Sequence, residues 1–255
     1  MTTLALTREI SPAIVRCELT HLTRVPIDLE RARAQHAAYE RALGAMGCTV
    51  ERLEAGDEMP DSVFIEDTAV VFDELAIVTR PGAESRRGEI EAVAQAIHPR
   101  RAVVFIEPPA TIDGGDVLTV GRSVFVGRSS RTNAAAVQQL QQILAPFGYH
   151  VFDVIVEGCL HLKSAATALD DETLLINPDW VAADLFGSFR TVPVHRLEPA
   201  GANILRIGSK LLYAAAFPRT CDALVTRGYH VGTVDVSELA KAEGAVTCCS
   251  LIVEA

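Results

Sequence analysis

The sequence lacks any long apolar run, and no basic segment followed by an apolar stretch stands at its start. A membrane-spanning helix needs about 20 predominantly apolar residues, so no membrane span is predicted. A secretory leader needs the basic-then-apolar pattern, so "MTTLALTREI" does not indicate export. We therefore expect a cytoplasmic protein with no membrane partner.

Cysteine pairs with metal-binding spacing are also missing. The six cysteines are scattered along the chain, and none forms a C-x-x-C pair. A zinc site built on paired thiolates is therefore not expected. In a chain with no export signal, we expect most of these thiols to be reduced. They are Cys17, Cys48, Cys159, Cys221, Cys248 and Cys249.

Positive charge is in short supply, since 23 lysines and arginines face 33 aspartates and glutamates, for a formal net charge of -10. Nucleic-acid binding depends on clustered positive charge, which argues against nucleic acid as the main partner. The acidity is compatible with a cationic small molecule, although many proteins are acidic for solubility alone. The chain has 255 residues, 49% of them hydrophobic, and can bury a large core in one large domain or two small ones.

What the sequence does contain is a repeated local pattern of an apolar run, a polar turn and a second apolar run. Short runs rich in Val, Ile and Leu around a two-residue turn predict β-hairpins. Amphipathic stretches follow the hairpins, clearly in three cases and weakly after the third hairpin. A repeat of about 40 to 50 residues is typical of repeat or propeller architectures. The four turns are Asp73-Glu74, Gly121-Arg122, Asp170-Asp171 and Gly208-Ser209.

The two ends of the chain complete this pattern. The segment "LALTRE" at 4–9 resembles the second strand of a hairpin, and "AVTCCSLIVE" at 245–254 resembles a first strand without a partner. Pairing them would protect strand edges that are otherwise open. We predict an α/β fold, a closed five-bladed propeller of pseudo-fivefold repeats whose fifth unit is completed by both termini. Residues 1–255 would form one domain, and an open α/β sheet is the alternative.

Two adjacent cysteines, Cys248 and Cys249, lie in the last of these segments. Alternate residues of a strand share a face, so Cys248 would lie beside Ser250 while Cys249 would face aliphatic neighbours. A disulfide between adjacent residues needs a strained geometry. An inert buried pair is one interpretation, and a reactive Cys248 next to a packing Cys249 is the other.

Several polar residues near predicted strands are candidates for one converging site. His161, which alternates with leucines in "GCLHLKSA", could be structural or could act as general acid and base beside a thiol. Carboxylates in "VFIEDTAVV" and "TIDGGDVLTV" could cap turns, or could converge into a pocket for a cation such as a guanidinium. These carboxylates are Glu66, Asp67, Asp113 and Asp116.

Two arginines begin or precede predicted helices, Arg86 in "RPGAESRRGE" and Arg131 in "GRSSRTN". Either could be a solvated surface charge. Together they could hold a carboxylate at the other end of a zwitterionic substrate.

Motifs along most of the chain closely resemble those of the dimethylarginine dimethylaminohydrolases. They run from about residue 19 to residue 253, in the order and with the spacing of that family. The motifs are "DSVFIEDTAVV", "VTRPGAESRRGE", "TIDGGDVLTVGRSVFVG", "SSRTN", "LHLKS", "GANILRI" and "VTCCS". The resemblance implies the five-bladed pentein fold of the guanidine-modifying enzymes and a single catalytic domain.

The resemblance also implies the role of each site residue. Cys248 matches the nucleophile, which makes Cys249 a packing residue, and His161 matches the general acid and base. Asp113 matches a third catalytic residue, although some family members carry Glu at that position. The remaining matches bind substrate: Glu66 and Asp67 near the guanidinium, Arg86 and Arg131 at the α-carboxylate, Asp61 and the backbone near Leu19 at the α-amino group, and Ser250 beside the nucleophile. The segment around Leu19 forms a lid in this family.

The expected reaction is hydrolysis of Nω-methylated L-arginine to L-citrulline and a methylamine through a covalent thiouronium on Cys248. It needs no metal or cofactor, and the expected partner is the small-molecule substrate, bound by a chain that could form a homodimer. Two alternatives are a related enzyme such as an arginine deiminase, and a non-catalytic binding protein of the same fold. The sequence does not decide among mono-methylated, dimethylated and unmodified arginine, because that choice depends on the volume of the pocket.

Overall fold

The structure is a computed structural model that describes residues 3–254 of the chain. Within these residues it contains short strands, short helices and several turns of 3-10 helix. No helix among them is both long enough and apolar enough to cross a bilayer.

The strands are short, from three to six residues each, and they follow one another closely along the chain. They are β1 (Leu4–Arg8), β2 (Thr49–Leu53), β3 (Ala69–Val71), β4 (Leu75–Val78), β5 (Ala102–Phe105), β6 (Val117–Val120), β7 (Ser123–Arg128), β8 (His150–Ile155), β9 (Ala166–Ala168), β10 (Thr173–Ile176), β11 (Arg190–Pro193), β12 (Ile204–Ile207), β13 (Lys210–Ala214), β14 (His230–Val234) and β15 (Leu251–Val253).

The helices lie between the strands. They are α1 (Leu29–Met46), α2 (Ile90–Ile97), α3 (Ala134–Leu144), α4 (Leu162–Ala165), α5 (Pro218–Thr226) and α6 (Ser237–Ala240). Turns of 3-10 helix occupy Pro12–Arg16, Ile65–Thr68, Glu84–Glu89, Gly114–Asp116, Ala145–Phe147 and Ala183–Phe186.

Local sequence explains where the longest helix begins and ends. The Asp28 side chain accepts a hydrogen bond from the backbone N–H of Arg31, which caps the N-terminus of α1. Gly47 adopts φ +106° just after its last turn, a left-handed conformation that suits glycine. The segment "DLERARAQHAAYERALGAMG" thus forms a helix that is capped at both ends.

The strands form five three-stranded sheets with one shared topology. In each sheet the middle strand pairs antiparallel with one neighbour and parallel with the other. The fifth sheet is assembled from both ends of the chain, because β15 pairs antiparallel with β1, which pairs parallel with β2. The five-unit repeat and its completion by the two termini are therefore confirmed.

The four predicted hairpins are also confirmed, as β3–β4, β6–β7, β9–β10 and β12–β13. Gly121 and Gly208 have φ values of +57° and +59°, as two-residue hairpin turns require at such positions. The third strand of each sheet was not foreseen. Its residues are largely exposed on both faces, so their sequence does not alternate clearly between apolar and polar.

The apolar core is divided among five clusters, each between two successive sheets. Ile77 of β4 and Val124 of β7 belong to the cluster between the first two hairpins. The cluster around Leu6 of β1 and Ala76 of β4 joins the terminal sheet to the first hairpin sheet, and that around Ala5 and Leu212 joins it to the last. The two remaining clusters lie between the second and third and between the third and fourth hairpins.

The first strand of each unit, here called the inner strand, faces a shared central cavity. The inner strands are β3, β6, β9, β12 and β15, and residues of all five line a cavity of about 240 Å³. The segments that enter these inner strands therefore approach one another at the same end of the molecule.

Candidate active site

Four of the candidate site residues lie in segments that lead into inner strands. Asp67 belongs to the 3-10 turn before β3, and Asp113 immediately precedes the turn before β6. His161 precedes α4, which runs directly into β9. Cys248 lies in the turn just before β15. Residues almost two hundred positions apart thus meet because equivalent positions of the repeat converge.

His161 lies between two buried carboxylates. Its Nε2 is 3.2 Å from Oδ2 of Asp113, and its Nδ1 is 3.8 Å from Oδ1 of Asp67. Burial lowers the pKa of His161, but these two carboxylates and that of Asp116 outweigh it and raise the pKa to about 9. The imidazole is therefore protonated at neutral pH and can donate a proton.

His161 does not lie in a strand. It is the residue before the first turn of α4, with an extended backbone at φ -136°. The alternation of leucine and histidine in "LHL" instead reflects a buried Leu162 that packs under β6, while Leu160 lines the pocket. A four-residue helix is too short to show helical periodicity in the sequence.

Arg86 and Glu89 hold Asp67 on its other side. Nη1 of Arg86 donates to Oδ2 of Asp67 at 2.6 Å, and Nη2 donates to Glu89 at 2.8 Å. Burial would raise the pKa of Asp67, but His161 and Arg86 lower it to about 2. Every nitrogen of the Arg86 guanidinium donates a hydrogen bond within the protein. Arg86, which the resemblance assigns to the substrate carboxylate, thus neutralises the buried carboxylates of Asp67 and Glu89.

Cys248 and Cys249 lie in a turn, so the prediction that they belong to a strand is wrong. The turn covers 246–249, and β15 begins only at Leu251. The backbone N–H of Ala245 approaches Sγ of Cys248 at 3.4 Å, and Cys248 lines the pocket. Cys249 is fully buried within an apolar cluster. The surroundings of the two thiols therefore differ as expected. The reason is the geometry of a turn, and not the alternation of side chains along a strand.

The thiol of Cys248 is neutral in this ligand-free arrangement. Burial raises its pKa, and the carboxylates of Glu66 and Asp67 raise it further. An added positive charge in the pocket would act in the opposite direction.

Glu66 and Ser250 lie behind the nucleophile turn rather than in the pocket with Cys248. Glu66 accepts hydrogen bonds from Nζ of Lys163 and from Oγ1 of Thr247, both at 2.7 Å. Ser250 is buried, and its hydroxyl lies 2.7 Å from that of Tyr39. Both residues line the central cavity. The structure therefore associates them with support of the turn, whereas the resemblance predicted contact with substrate.

The segment around Leu19 borders the pocket, which Glu18 helps to line. Asp61 accepts hydrogen bonds from the backbone N–H of Glu18, and Nη2 of Arg131 donates to the Thr20 hydroxyl at 3.3 Å. Leu19 itself packs against an apolar cluster. We call residues 18–22 the lid segment. Asp61 and Arg131, both predicted to bind substrate, are engaged with it here.

Glu243 is a contact of the lid segment that the sequence did not reveal. Its carboxylate accepts from the backbone N–H groups of Thr20, His21 and Leu22. It has φ +59°, the one left-handed conformation of a non-glycine residue within 3–254. Such strain is often concentrated at functional sites. A Glu before Gly in "AEGAV" gave no signal that could have identified it.

The pocket beside the lid segment is small. It encloses about 20 Å³, which is room for about one water molecule. Its lining includes Asp67, Arg131, His161, Glu243 and Cys248.

Among residues 3–254, one group has the spacing of a metal site: ligand atoms of Asp67, Asp113 and His161 lie within 4.8 Å of one another. The two carboxylates are already paired with Arg86 and His161.

Comparisons with known proteins identify relatives of this chain. The sequence model described as "Arginine deiminase" matches residues 55–198. The N(G),N(G)-dimethylarginine dimethylaminohydrolase of Streptomyces coelicolor is 44% identical, over 97% of this chain and 95% of that protein.

Two solved structures are very similar over the whole chain. One is the dimethylarginine dimethylaminohydrolase of Pseudomonas aeruginosa, a cysteine-to-serine mutant complexed with citrulline. Its TM-score is 0.94 at 34% identity, covering 99% of this chain and all of that one. The other is a histidine-to-glycine mutant of a dimethylarginine dimethylaminohydrolase, an adduct with S-methyl-L-thiocitrulline, with a TM-score of 0.93 at 34% identity over 99% of this chain and all of that one. By its sequence, over nearly its full length, this chain belongs to the dimethylarginine dimethylaminohydrolase family.

Proposed function

We propose that this protein hydrolyses Nω-methylated L-arginines, including asymmetric dimethylarginine and monomethylarginine, to L-citrulline and the corresponding methylamine. The observation that carries the proposal is one buried pocket lined by Cys248, His161 and Asp67, with Asp113 in contact with the histidine. A thiol, an imidazole and carboxylates are the groups needed to attack and orient a guanidinium. Membership of the family supports the same reaction.

Activation of Cys248 depends on the substrate in this proposal. The thiol pKa is raised in the empty pocket, so little thiolate is present before binding. A guanidinium held by the carboxylates brings a positive charge next to Sγ, which lowers the thiol pKa. Only a cationic substrate would therefore promote ionisation of the Cys248 thiol that attacks it.

The chemistry then proceeds in two steps with His161 as the proton carrier. The Cys248 thiolate attacks the guanidinium carbon, the bond to the methylated nitrogen breaks, and protonated His161 gives that amine its proton. In the second step His161 takes a proton from water, the hydroxide attacks the thiouronium carbon, and the C–S bond breaks. Citrulline leaves after the added hydroxyl gives up its proton, which returns to the sulfur and restores the Cys248 thiol. The adduct with S-methyl-L-thiocitrulline in the related structure supports a covalent intermediate on sulfur.

The amino-acid end of the substrate would contact the lid side of the pocket. Arg131 is the better placed cation for the α-carboxylate, since Arg86 is already paired with Asp67 and Glu89. Asp61 and the backbone near Leu19 would take the α-amino group. Because the closed pocket holds about one water molecule, the lid segment must open before an arginine derivative can enter.

We also propose that the five sheets form one closed ring, a five-bladed pentein domain of residues 1–255. Apolar clusters between all successive pairs of sheets, including the terminal one, support closure. A cytoplasmic location is supported by six free cysteines, which suit a reducing compartment. Exposed Phe152 and Ile155 on β8 are surface that a homodimer would cover.

One observation favours a second candidate, an arginine deiminase. The sequence model described by that name matches more than half of the chain. The two activities share the nucleophile and differ in the leaving group, which is ammonia for arginine and a methylamine for its methylated derivatives.

Product analysis tests the proposal directly. The purified protein is incubated with asymmetric dimethylarginine and, separately, with arginine, and citrulline, dimethylamine and ammonia are measured. We expect citrulline with dimethylamine, abolished in Cys248→Ser and retained in the adjacent Cys249→Ser. Ammonia from arginine alone would establish the deiminase instead. Silence on both substrates, with retained binding in Cys248→Ser, would favour a binding protein.

A further inference from the structure

One carboxylate of the "TIDGGDVLTV" segment has no part in the proposed reaction. Asp116 is fully buried at the end of the Gly114–Asp116 turn and does not line the pocket. A charged group in such a place is costly unless its oxygens are well satisfied. The arrangement of its hydrogen bonds indicates why it is kept there.

The two oxygens of Asp116 accept hydrogen bonds from its own unit and from the next one. Oδ1 accepts from the backbone N–H of Leu162 at 2.9 Å. Oδ2 accepts from the hydroxyls of Ser129 and Thr132, each at 2.6 Å. These three donors come from two separate segments, one on either side of β8.

Each of the three donor residues is in turn bonded, covalently or by a hydrogen bond, to a site residue. The N–H of Leu162 belongs to the peptide bond that follows His161. The Ser129 hydroxyl accepts from the N–H of Arg131 at 3.0 Å. The Thr132 hydroxyl accepts from the N–H of Asp113 at 3.3 Å. One buried carboxylate is therefore connected to the proton carrier, to its carboxylate partner and to the cation on the lid side.

The neighbouring backbone leaves space for this carboxylate. A Cβ on Gly127 of β7 would lie 2.8 Å from Oδ1 of Asp116 and 2.7 Å from Cβ of Leu162. Real Cβ atoms do not approach so closely, so a side chain at Gly127 would push both groups apart. Glycine has a low β-propensity, and its presence at this strand position is explained by that contact.

We propose that Asp116 is a positioning residue for the reaction, which through Leu162, Ser129 and Thr132 fixes His161, Arg131 and Asp113 relative to one another. This inference rests on the proposed function. It assigns different kinetic consequences to the three branches, because Arg131 binds substrate whereas His161 and Asp113 act on the reacting atoms.

The test separates the branches with single substitutions. Ser129→Ala breaks the branch to Arg131, and we expect KM to rise about tenfold with kcat nearly unchanged, the effect of one weakened contact to a charged group. Thr132→Val breaks the branch to Asp113, and kcat should fall about tenfold while KM changes less. Thr132→Ser restores the hydroxyl and should restore kcat.

Thr119→Val is the matched control for Thr132→Val. The Thr119 hydroxyl is buried but has no hydrogen-bond partner among residues 3–254, so this substitution removes an unused group. It should change neither kcat nor KM. A fall in kcat as large as that of Thr132→Val would show that any buried hydroxyl lost near β6 has this effect, and would overturn the inference.

A third readout does not depend on turnover. The ring of His161 is titrated by NMR in the ligand-free protein, where it faces Asp67, Asp113 and Asp116. Thr132→Val keeps every charge but breaks the link from Asp116 to the N–H of Asp113, and it should change the His161 pKa, whereas Thr119→Val should not. If the wild-type protein turns over no methylarginine, the proposed function fails, while a titration altered by Thr132→Val alone would still support the positioning role. Uniform changes in kcat and KM across the branches, or an unmoved titration in a folded Thr132→Val, would reduce Asp116 to a structural residue.

Discussion

The pocket has two sides of opposite character. The inner side, formed by Asp67, Asp113, His161 and Cys248, stands on the segments that enter the inner strands, and its charges are buried and paired. The lid segment, residues 18–22, is mostly exposed and is held by side chains that accept from its backbone N–H groups. The candidate catalytic groups and the lid segment therefore belong to separate parts of the molecule. In the proposed function, a rigid scaffold would fix the reacting groups, whereas access would depend on the few hydrogen bonds that hold the lid segment.

Loss of the proton carrier should give the greatest effect. We expect His161→Ala to lower kcat by about 10²- to 10⁴-fold, the usual contribution of general acid-base catalysis, with a much smaller change in substrate binding. Steady-state kinetics with asymmetric dimethylarginine provide the measurement. The exposed His98, changed to alanine, is the control and should retain full activity. A comparable loss in both variants would contradict the assignment.

The buried ion pairs of the inner side should matter for stability as well as for activity. Arg86→Met would leave the carboxylates of Asp67 and Glu89 buried without their cation, and we expect a loss of about 3–5 kcal/mol in the free energy of unfolding. Urea titration measures it. The adjacent Arg87→Met breaks a largely exposed pair with Glu84 and should cost less than about 1 kcal/mol. Equal losses would mean that burial does not set the difference.

The pKa of His161 predicts how stability depends on pH. The folded-state value of about 9 lies above the ordinary value of 6.5, so pairing stabilises the protonated form. This contribution, up to about 3 kcal/mol, should be complete below pH 6.5 and lost as pH rises through 9. Denaturant unfolding of the wild type and of His161→Gln between pH 6 and 10 tests it. The two curves should converge at high pH, and a constant separation would argue against the raised pKa.

The lid segment should respond to smaller changes. Glu243→Gly removes the carboxylate that holds three backbone N–H groups and relieves the φ of +59° at the same residue. We expect faster hydrogen exchange of residues 20–22, with a KM altered only a few-fold, since the reacting groups are untouched. Glu172→Gly, a change at an exposed glutamate of the turn between β9 and β10, is the control. Unchanged exchange at 20–22 would show that Glu243 does not hold the lid segment.

Much of this arrangement could be predicted from the sequence. The hairpins around Gly121 and Gly208, the capped α1 and the completion of the last sheet by β1 follow from apolar patterning and turn residues. Cys248, His161 and Asp113 could be assigned through their motifs. The strand assigned to "VTCCS" was wrong, because four residues of turn before a three-residue strand have the same apolar composition as a longer strand.

Local pattern, then, determined the repeat, because hairpins and capped helices depend on neighbours a few residues away. Only the tertiary structure decided which polar residues share the pocket. Glu66 and Asp67 are adjacent in sequence, yet Asp67 faces His161 while Glu66 binds Lys163 and Thr247 on the cavity side. A single peptide step in a turn reverses a side chain's direction, and which direction leads to the site depends on units far away in the chain.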